Sequence, residues 1–538
     1  MSSFEITGNL VDLIASKVYP ARVFIEDKKI KSIEPQSAVY NNYILPGLID
    51  AHIHIESSML PPSEFARIAS IYGTVASVSD PHEIANVLGK AGIRYMIENA
   101  KEVPFKFYFG VPSCVPATDF ETSGAKLEAS DIEDIFQEYN LKYLSEMMNF
   151  PGVIYDNPEV LAKIDIAKKF NRPIDGHAPG LQGADAKKYA NTGISTDHEC
   201  FDLEEAREKI RYGMKILIRE GSAAKNFETL APLIGESPDK CMLCSDDLHP
   251  DDLAKGHINL LVKRAIKMGY DPMQVLKVAT LNPIQHYGLD VGLLQEGDWA
   301  DFIIIDNFND FNILKTYIDG ELVAENSQTL LPFKKSSIIN NFQANYKSPD
   351  DFIYLPKEKT IPIIKAIDGS LITDRFDYEP IIKNNDVQCD LQNDILKIAV
   401  VNRYKNVMPV VRLINNFGFK KGAIATSVAH DSHNLIAVGV DNYSISQAIN
   451  ALIDNEGGMA VFDSKSIFIL PLPIAGLMSN EEWTEVARKY EELNTIAKSL
   501  GTKLAAPFMT LSFMSLLVIP KLKLGDKGLF DVEKFAFV

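Results

Sequence analysis

The sequence predicts an α/β protein with a (β/α)₈ barrel at its centre, a flanking small β-sandwich domain and an additional C-terminal α+β domain. The barrel is indicated by short β-rich segments that alternate with helical patterns throughout residues 46–291. Strand patterns occur before it, in residues 1–45, and after it, in residues 292–335, so these two stretches are expected to pair in one small domain. Residues 336–538 mix strands and helices and form the third predicted domain.

The β segments of the central region each end in polar residues. They are IDAHIHI (49–55), TVASVSDP (74–81), KFYFGVPS (106–113), LKYLSEMMN (141–149), RPIDGHA (172–178), ISTDHE (194–199), MKILIREGS (214–222) and KCMLCSDD (240–247). An open, doubly wound sheet is the alternative arrangement. It requires a glycine-rich phosphate turn after the first strand, and HIHIESSM (52–59) is no such turn. The closed barrel is therefore the favoured prediction.

Composition and charge limit the classes of molecule that the protein is expected to bind. The chain has 538 residues, of which 46% are hydrophobic and 23% are charged, as expected for a folded globular protein of several domains. A formal net charge of −18 argues against nucleic acid or an anionic membrane as a partner, because both bind positively charged surfaces. A homo-oligomer is the default expectation for a large barrel protein.

Cysteine usage and the first residues indicate a cytoplasmic protein. Five cysteines are too few and too odd in number for a disulfide framework. The N-terminal sequence MSSFEITGNL lacks the basic and apolar regions of a signal peptide. The most apolar window, Ala505 to Ile519, is shorter than the ~20 residues of a membrane span. It is expected to be a buried helix or strand pair.

Six side chains that can bind metal stand at the ends of five predicted strands. They are His52, His54, Glu146, His177, His198 and Asp246. Residues two apart on a strand point to the same face, so the first two imidazoles can hold one ion. Any one of these histidines, taken alone, is more often a hydrogen-bonded structural residue. Together, facing inward without a cation, the six would leave one another unsatisfied, so a site for Zn²⁺, Fe²⁺ or Mn²⁺ is predicted.

The stretch LPGLIDAHIHIESSM (45–59) resembles the first-strand signature of the amidohydrolase superfamily. The resemblance implies a (β/α)₈ metal hydrolase whose ligands are the six residues named above. The bridging ligand on strand four separates subtypes, some of which use a carbamylated lysine. Lys142 stands at the start of its strand, whereas Glu146 lies near the end that carries the ligands. Glu146 therefore favours a binuclear site.

Seven further stretches make the resemblance more specific. They are SDPHEIANV (79–87), GHAPGLQGADAKKYANTGISTDHE (176–199), REGSAAKN (219–226), CSDDLHPDDLAKGHINL (244–260), ATLNPIQHYGL (279–289), ATSVAHDSHNLIAVG (425–439) and PFMTLSFMSLLVIPKLKLGDKGLFDV (507–532). They look like the bacterial adenine deaminases, and the resemblance covers nearly the whole chain.

The resemblance implies hydrolytic deamination of adenine to hypoxanthine and ammonia by a hydroxide that bridges two divalent cations. We expect Mn²⁺ or Fe²⁺, with Zn²⁺ as the alternative. In this hypothesis one ion is bound by His52, His54 and Asp246, and the other by His177 and His198. Both ions share Glu146 as a ligand. The catalytic candidates are Asp246 as proton shuttle, Glu146, Glu83 and His82.

Candidates for purine binding lie near other strand ends and in the C-terminal block. They are Glu83, Glu199, Arg219, Ser222, His430 and His433. The last two belong to the segment VAHDSHN (428–434), which is expected to approach the barrel mouth and help to exclude water. The alternatives are a helix-capping role for the carboxylates and a solvent-exposed turn for the segment.

Two other readings of the function remain open at this point. The first is a different deaminase or a cyclic amidohydrolase of the same superfamily, which would keep the metal ligands and change the pocket. The second is a non-catalytic assembly protein on a hydrolase barrel. Such proteins typically lose metal ligands, and this chain retains all six.

Overall fold

The computed structural model describes residues 3–538. The first part of the chain forms strands β1 (Ser3–Asp12), β2 (Lys17–Glu26), β3 (Lys29–Pro35) and β4 (Tyr43–Pro46). β1, β2 and β3 form an antiparallel meander, whereas β4 runs parallel to β1. The β-rich sequences VFIED (23–27) and KSIEP (31–35) fall at the end of β2 and within β3.

Residues 46–291, all of them described, contain eight strands in the predicted positions. They are β5 (Leu48–Ile53), β6 (Thr74–Ser79), β7 (Lys106–Phe109), β8 (Leu144–Met147), β9 (Ile174–Gly176), β10 (Thr196–Asp197), β11 (Lys215–Arg219) and β12 (Cys241–Cys244). β5 and β6 are buried at every position, as expected when both faces of a parallel sheet are covered.

Parallel pairings connect these strands in chain order. β5, β6 and β7 pair side by side, as do β8 with β9 and β10 with β11 and β12. Single parallel bridges join the remaining neighbours: Val111 with Leu144, and Ile174 with Ile194. A last bridge, between Ile53 and Asp246, joins the end of β12 to β5. The carboxyl ends of all eight strands therefore face the same side.

After this region the chain returns to the first sheet through β13 (Phe302–Ile305), β14 (Ile313–Ile318), β15 (Glu321–Glu325) and β16 (Gln328–Thr329). The strand order is β16-β15-β14-β13-β4-β1-β2-β3. The hydrogen bonds link these eight strands into one continuous sheet. The Phe4 ring of β1 stacks on the Tyr317 ring of β14 with ring centres 5.6 Å apart, so the sheet curves back on itself, and the small β-sandwich stays a prediction. Strand β4 joins the two parts of this sheet, because it pairs with β1 on one side and with β13 on the other.

The C-terminal region is built around a second eight-stranded sheet. Its strands and their short neighbours are β17 (Ile361–Lys365), β18 (Asp374–Tyr378), β19 (Ile382–Lys383), β20 (Asp386–Val387), β21 (Ile395–Val401), β22 (Val410–Asn415), β23 (Ala423–Thr426), β24 (Leu435–Gly439), β25 (Gly458–Phe462), β26 (Ile467–Pro471), β27 (Leu522–Gly525), β28 (Gly528–Asp531) and β29 (Ala536–Phe537). The large sheet has the order β18-β17-β22-β21-β24-β23-β25-β26. The antiparallel pair β23 and β24 presents the VAHDSHN segment at its turn.

Helices cover the strands of both large regions. They are α1 (Pro62–Ala69), α2 (His82–Leu88), α3 (Lys90–Ala100), α4 (Ala129–Tyr139), α5 (Phe150–Ile154), α6 (Pro158–Lys169), α7 (Gly183–Asn191), α8 (Leu203–Arg211), α9 (Phe227–Leu230), α10 (Pro232–Glu236), α11 (Pro250–Leu253), α12 (Ile258–Lys267), α13 (Pro272–Ala279), α14 (Leu281–Tyr287), α15 (Asn442–Asp454), α16 (Trp483–Ser499) and α17 (Pro507–Ser512). Among the described residues, no helix combines the length and apolar character that crossing a bilayer requires.

The most apolar window of the sequence is buried and helical. It contains α17 and a following 3₁₀ turn, Phe513–Ser515. Of the two expected forms, the helix is confirmed and the strand pair is wrong. This segment packs above the strand ends of the central region, where it contributes to the site described next.

Candidate functional site

The strand ends of the central region bring the six predicted ligand residues into one buried cluster. His52 lies in β5 and His54 follows it, while Glu146 lies in β8. His177 and His198 directly follow β9 and β10, and Asp246 follows β12 by two residues. All six side chains are buried. Because parallel strands end at the same side, residues spread over nearly two hundred positions converge there.

Glu146 lies between three of the imidazoles. Its Oε2 is 2.8 Å from His177 Nδ1 and 3.1 Å from His198 Nε2, and its Oε1 is 3.3 Å from His54 Nε2. Burial alone would raise the pKa of Glu146, but the charge of His177 and hydrogen bonds from His177, His198 and His54 hold it well below its usual range. The carboxylate is therefore anionic at neutral pH, as a metal ligand must be.

Asp246 faces the two histidines of the first strand. Its Oδ1 is 3.5 Å from His52 Nε2 and 3.2 Å from His54 Nε2, and its Oδ2 accepts a 2.6 Å hydrogen bond from Arg219 Nη1. The backbone fixes this arrangement, because Asp246 N donates to the His52 carbonyl oxygen and His54 N donates to that of Asp246. Burial would raise the pKa of Asp246, but the Arg219 guanidinium and the histidines hold it well below its usual range.

The donor set fits divalent cations. Both ring nitrogens of His52 are buried without a hydrogen-bond partner, which is costly for an imidazole unless a cation binds it. The donor atoms form several groups in which all ligand atoms lie within 4.8 Å of one another. One group is His52, His54 and Asp246, a second is His52, Glu146 and His198, and a third is His177, His198 and Glu199. Nitrogen and oxygen ligands in this number suit first-row metals.

His82 and Glu83 occupy the first turn of α2, beside the metal-competent cluster. His82 Nδ1 is 3.1 Å from Asp80 Oδ2 and 3.4 Å from Glu146 Oε1. Glu83 is held by two histidines of the C-terminal region: His430 Nδ1 lies 2.5 Å from its Oε1, and His433 Nε2 hydrogen-bonds its Oε2. The VAHDSHN segment therefore reaches the strand ends, and the alternative of a solvent-exposed turn is wrong.

Glu199 and Arg219 form a buried ion pair at the opposite side of the cluster. Arg219 Nη2 is 3.0 Å from Glu199 Oε2, and its Nη1 hydrogen-bonds Glu199 Oε1 as well as Asp246. Burial would raise the pKa of Glu199, but Arg219 lowers it to below its ordinary value. This guanidinium thus holds two carboxylates in fixed orientation.

Ser222 is the one predicted site residue that the structure does not bring to the site. Its hydroxyl donates a 2.7 Å hydrogen bond to Asp252 Oδ2 and accepts one from the backbone N–H of His249. Ser222 does not line the cavity. The chain turns away after β11, and the hydroxyl holds the start of α11. The predicted role of Ser222 in substrate binding therefore gains no support from this geometry.

A cavity lies directly above the cluster. Its polar walls are His54, His82, Glu83, Glu146, His177, Glu199, Arg219, Asp246, Asp247, His430 and Asp431, and its apolar walls are Met148, Leu371, Phe513, Leu516 and Ile519. The Phe513 ring stacks on His430 with ring centres 4.4 Å apart and an angle of 11° between the planes. A polar floor with an apolar roof suits a flat heteroaromatic ligand.

Sequence reasoning missed the apolar residues of the cavity roof. The signal for the roof was present in the apolar window that contains Phe513, Leu516 and Ile519. Such a window predicts core packing, because apolar residues that line a ligand cavity have the same sequence pattern as those that pack against each other. Leu371 follows no recognisable motif.

Comparisons with known proteins find two family models that match the chain and several similar full-length proteins. Residues 43–323 match the model of the amidohydrolase family, and residues 370–536 match that of the adenine deaminase C-terminal domain. A protein of Methanosarcina mazei named adenine deaminase is 54% identical, covering 99% of this chain and 98% of its own. A protein of Sulfurovum sp. with the same name is 54% identical, covering 99% of each chain. One of Salinibacter ruber, also so named, is 51% identical, covering 100% of this chain and 99% of its own.

Proposed function

The chain belongs to the amidohydrolase family, and from this we propose that it is an adenine deaminase that hydrolyses adenine to hypoxanthine and ammonia. One observation carries the proposal. The cavity is lined both by residues of the amidohydrolase match, such as His54 and Asp246, and by residues of the adenine deaminase C-terminal match, such as His430 and Phe513. The part of the chain that is typical of adenine deaminases therefore contributes directly to the metal-competent site.

We propose that residues 46–291 form a (β/α)₈ barrel. The parallel pairings and bridges that lead from β5 through β12 and back to β5 support it. The flanking β domain would comprise residues 1–45 and 292–335, of which residues 1 and 2 lie outside the described part. Residues 336–538 would form the C-terminal domain, which closes the barrel mouth.

Two divalent cations would be held by the six ligands. His52, His54 and Asp246 suit one ion, His177 and His198 the other, and Glu146 lies where both can share it. When bound, two such ions would supply a nucleophilic water at neutral pH for attack at C6 of adenine. Mn²⁺ or Fe²⁺ is our proposal for the metal, with Zn²⁺ as the alternative, and the nitrogen and oxygen donors suit each of them.

The remaining polar residues would move protons and hold the purine. Asp246 would carry a proton from the attacking water to the departing amine, while Arg219 holds its second oxygen in place. His82 and Glu83 would serve as acid and base at the purine ring, and His430 and His433 would orient Glu83. Glu199 and Arg219 would form the opposite wall of the binding site.

We further propose a cytoplasmic homo-oligomer that binds small purines and neither nucleic acid nor membrane. The net charge of −18 supports the lack of a polyanionic partner. All five cysteines stand free within the described residues, which suits a reducing compartment.

The decisive experiment measures hypoxanthine and ammonia formed from adenine by the purified protein, together with its metal content. We expect equal amounts of both products and about two metal ions per chain. Asp246→Asn at unchanged metal content should lose activity. If the metal-loaded protein leaves adenine intact but hydrolyses cyclic amides, the protein is a cyclic amidohydrolase and the proposed function is wrong.

A further inference from the structure

Asp431 presents a buried carboxyl to the cavity. It lies in the turn between β23 and β24, is 2% exposed, and belongs to the polar wall. Its Oδ2 is buried and has no hydrogen-bond partner. Removing a polar atom from water in this way destabilises the folded protein unless a ligand or a water molecule hydrogen-bonds to that atom.

The other carboxylates above the metal-competent cluster each accept at least one hydrogen bond already. Both oxygens of Glu83 are held by histidines, and those of Glu199 by Arg219. Asp247 accepts a hydrogen bond from Ser57 Oγ at 2.5 Å. Among the carboxylates that line the cavity in residues 3–538, Asp431 is the one with a buried oxygen left without a partner. It is therefore available to a bound molecule.

The surroundings of Asp431 make its carboxyl easier to protonate than that of an ordinary aspartate. Burial raises its pKa to about 6, and the carboxylates of Glu83 and Glu146 act in the same direction, whereas His82 and His430 oppose them. Glu121 is a second buried carboxyl nearby, and burial together with the charge of Asp431 raises its pKa well above the usual range. A carboxyl in this setting takes up a proton at small cost and then donates a hydrogen bond.

We propose that Asp431 contacts the purine and donates a hydrogen bond from its protonated carboxyl to a ring nitrogen. This inference rests on the proposed function. Adenine carries three unprotonated ring nitrogens, N1, N3 and N7, all of them acceptors in the plane of the ring. Attack at C6 moves electron density onto the ring nitrogens, so a fixed donor there binds more tightly as the reaction proceeds. Asp431 thereby makes the C-terminal region a determinant of specificity.

The test measures binding of 1-deaza-, 3-deaza- and 7-deazaadenine to the metal-loaded protein by calorimetry, in the wild type and in Asp431→Leu. We expect the substitution to weaken binding about tenfold for the two analogues that keep the contacted nitrogen and less than about threefold for the one that lacks it. Asp431→Asn keeps a neutral donor and should retain the wild-type order of affinities. Ser432→Ala, at the neighbouring residue outside the cavity, should leave all three affinities unchanged.

Two outcomes would overturn the inference. Equal weakening of all three analogues in Asp431→Leu would show a structural effect, and no weakening would show that Asp431 does not touch the ring. Both outcomes leave the proposed function standing if the wild type forms hypoxanthine from adenine. If the wild-type protein neither deaminates adenine nor binds any of the analogues, both the proposed function and the role of Asp431 are wrong.

Discussion

Glu83 and His430 are joined by a hydrogen bond of 2.5 Å between Oε1 and Nδ1, although 347 positions separate them in the sequence. Glu83 stands at the start of α2, and His430 stands in the turn after β23. His433 holds the second oxygen of the same carboxylate. The orientation of a carboxylate beside the metal-competent cluster thus depends on the C-terminal region.

This dependence predicts that each of the two histidines supports catalysis without binding metal. His433→Ala removes one hydrogen bond and leaves a buried carboxylate oxygen unpaired, so kcat/KM for adenine should fall about tenfold to a hundredfold. The metal content should stay at the wild-type value. His286→Ala is the matched control, because that histidine is bonded to Ser195 Oγ far from the cavity. Loss of metal in His433→Ala would contradict the assignment.

Glu146 is predicted to be the residue on which occupancy of both ions depends. Its two oxygens face different histidines, so Glu146→Gln removes the charge that both ions would share. We expect the metal content to fall from about two equivalents per chain to about one or fewer, measured by mass spectrometry of the metal. Glu220→Gln is the control, since that carboxylate pairs with Arg264 outside the cavity. Unchanged metal content in Glu146→Gln would refute a shared ligand.

Replacing Arg219 with lysine should reduce the catalytic activity. Its guanidinium reaches Asp246 with one nitrogen and Glu199 with both, which a single ammonium cannot reproduce. Arg219→Lys should lower kcat for adenine about tenfold to a hundredfold. Arg207→Lys tests the same exchange at the surface, where Arg207 also holds a carboxylate, Glu236, through two nitrogens. Its activity should stay within about twofold of the wild type, because surface pairs contribute little.

The ligand cluster could be predicted from the sequence because its geometry follows from local rules. His52 and His54 share a face by strand alternation, and parallel strands end at a common side, so residues such as His177 and Asp246 converge there. Glu83 could be singled out by its place after the second strand. None of these inferences required knowledge of how the large regions pack.

The features that the sequence did not predict arise where distant segments meet. Ser222 follows its strand as the rule requires, but the side chain is taken up by Asp252, and strand position alone does not show this. Leu371 reaches the cavity through packing of the C-terminal region, for which periodicity offers no signal. The single continuous sheet depends likewise on the pairing of β4 with β13, between segments about 250 residues apart.

Lys523 links two segments of the cavity roof. Its side chain is buried in β27, and Nζ donates hydrogen bonds to the carbonyl oxygens of Leu371 and Phe513 at 2.7 and 2.8 Å. Burial lowers the pKa of Lys523 to about 7, because no carboxylate compensates for the lost hydration. An ammonium group here destabilises the folded protein, whereas the neutral amine still donates to both carbonyls.

The stability of the folded protein should therefore depend on pH through Lys523. Between the folded pKa of about 7 and the unfolded value of 10.5, the unfolded chain binds a proton on this lysine that the folded chain does not, so this residue's contribution to stability rises with pH. Lys523→Met lacks that contribution, and the midpoint of thermal unfolding of the wild type minus that of the variant should increase between pH 7 and pH 10. Lys521→Met, at an exposed neighbour, should show no such increase. A difference between wild type and Lys523→Met that is constant over this range would mean that the buried amine does not titrate there.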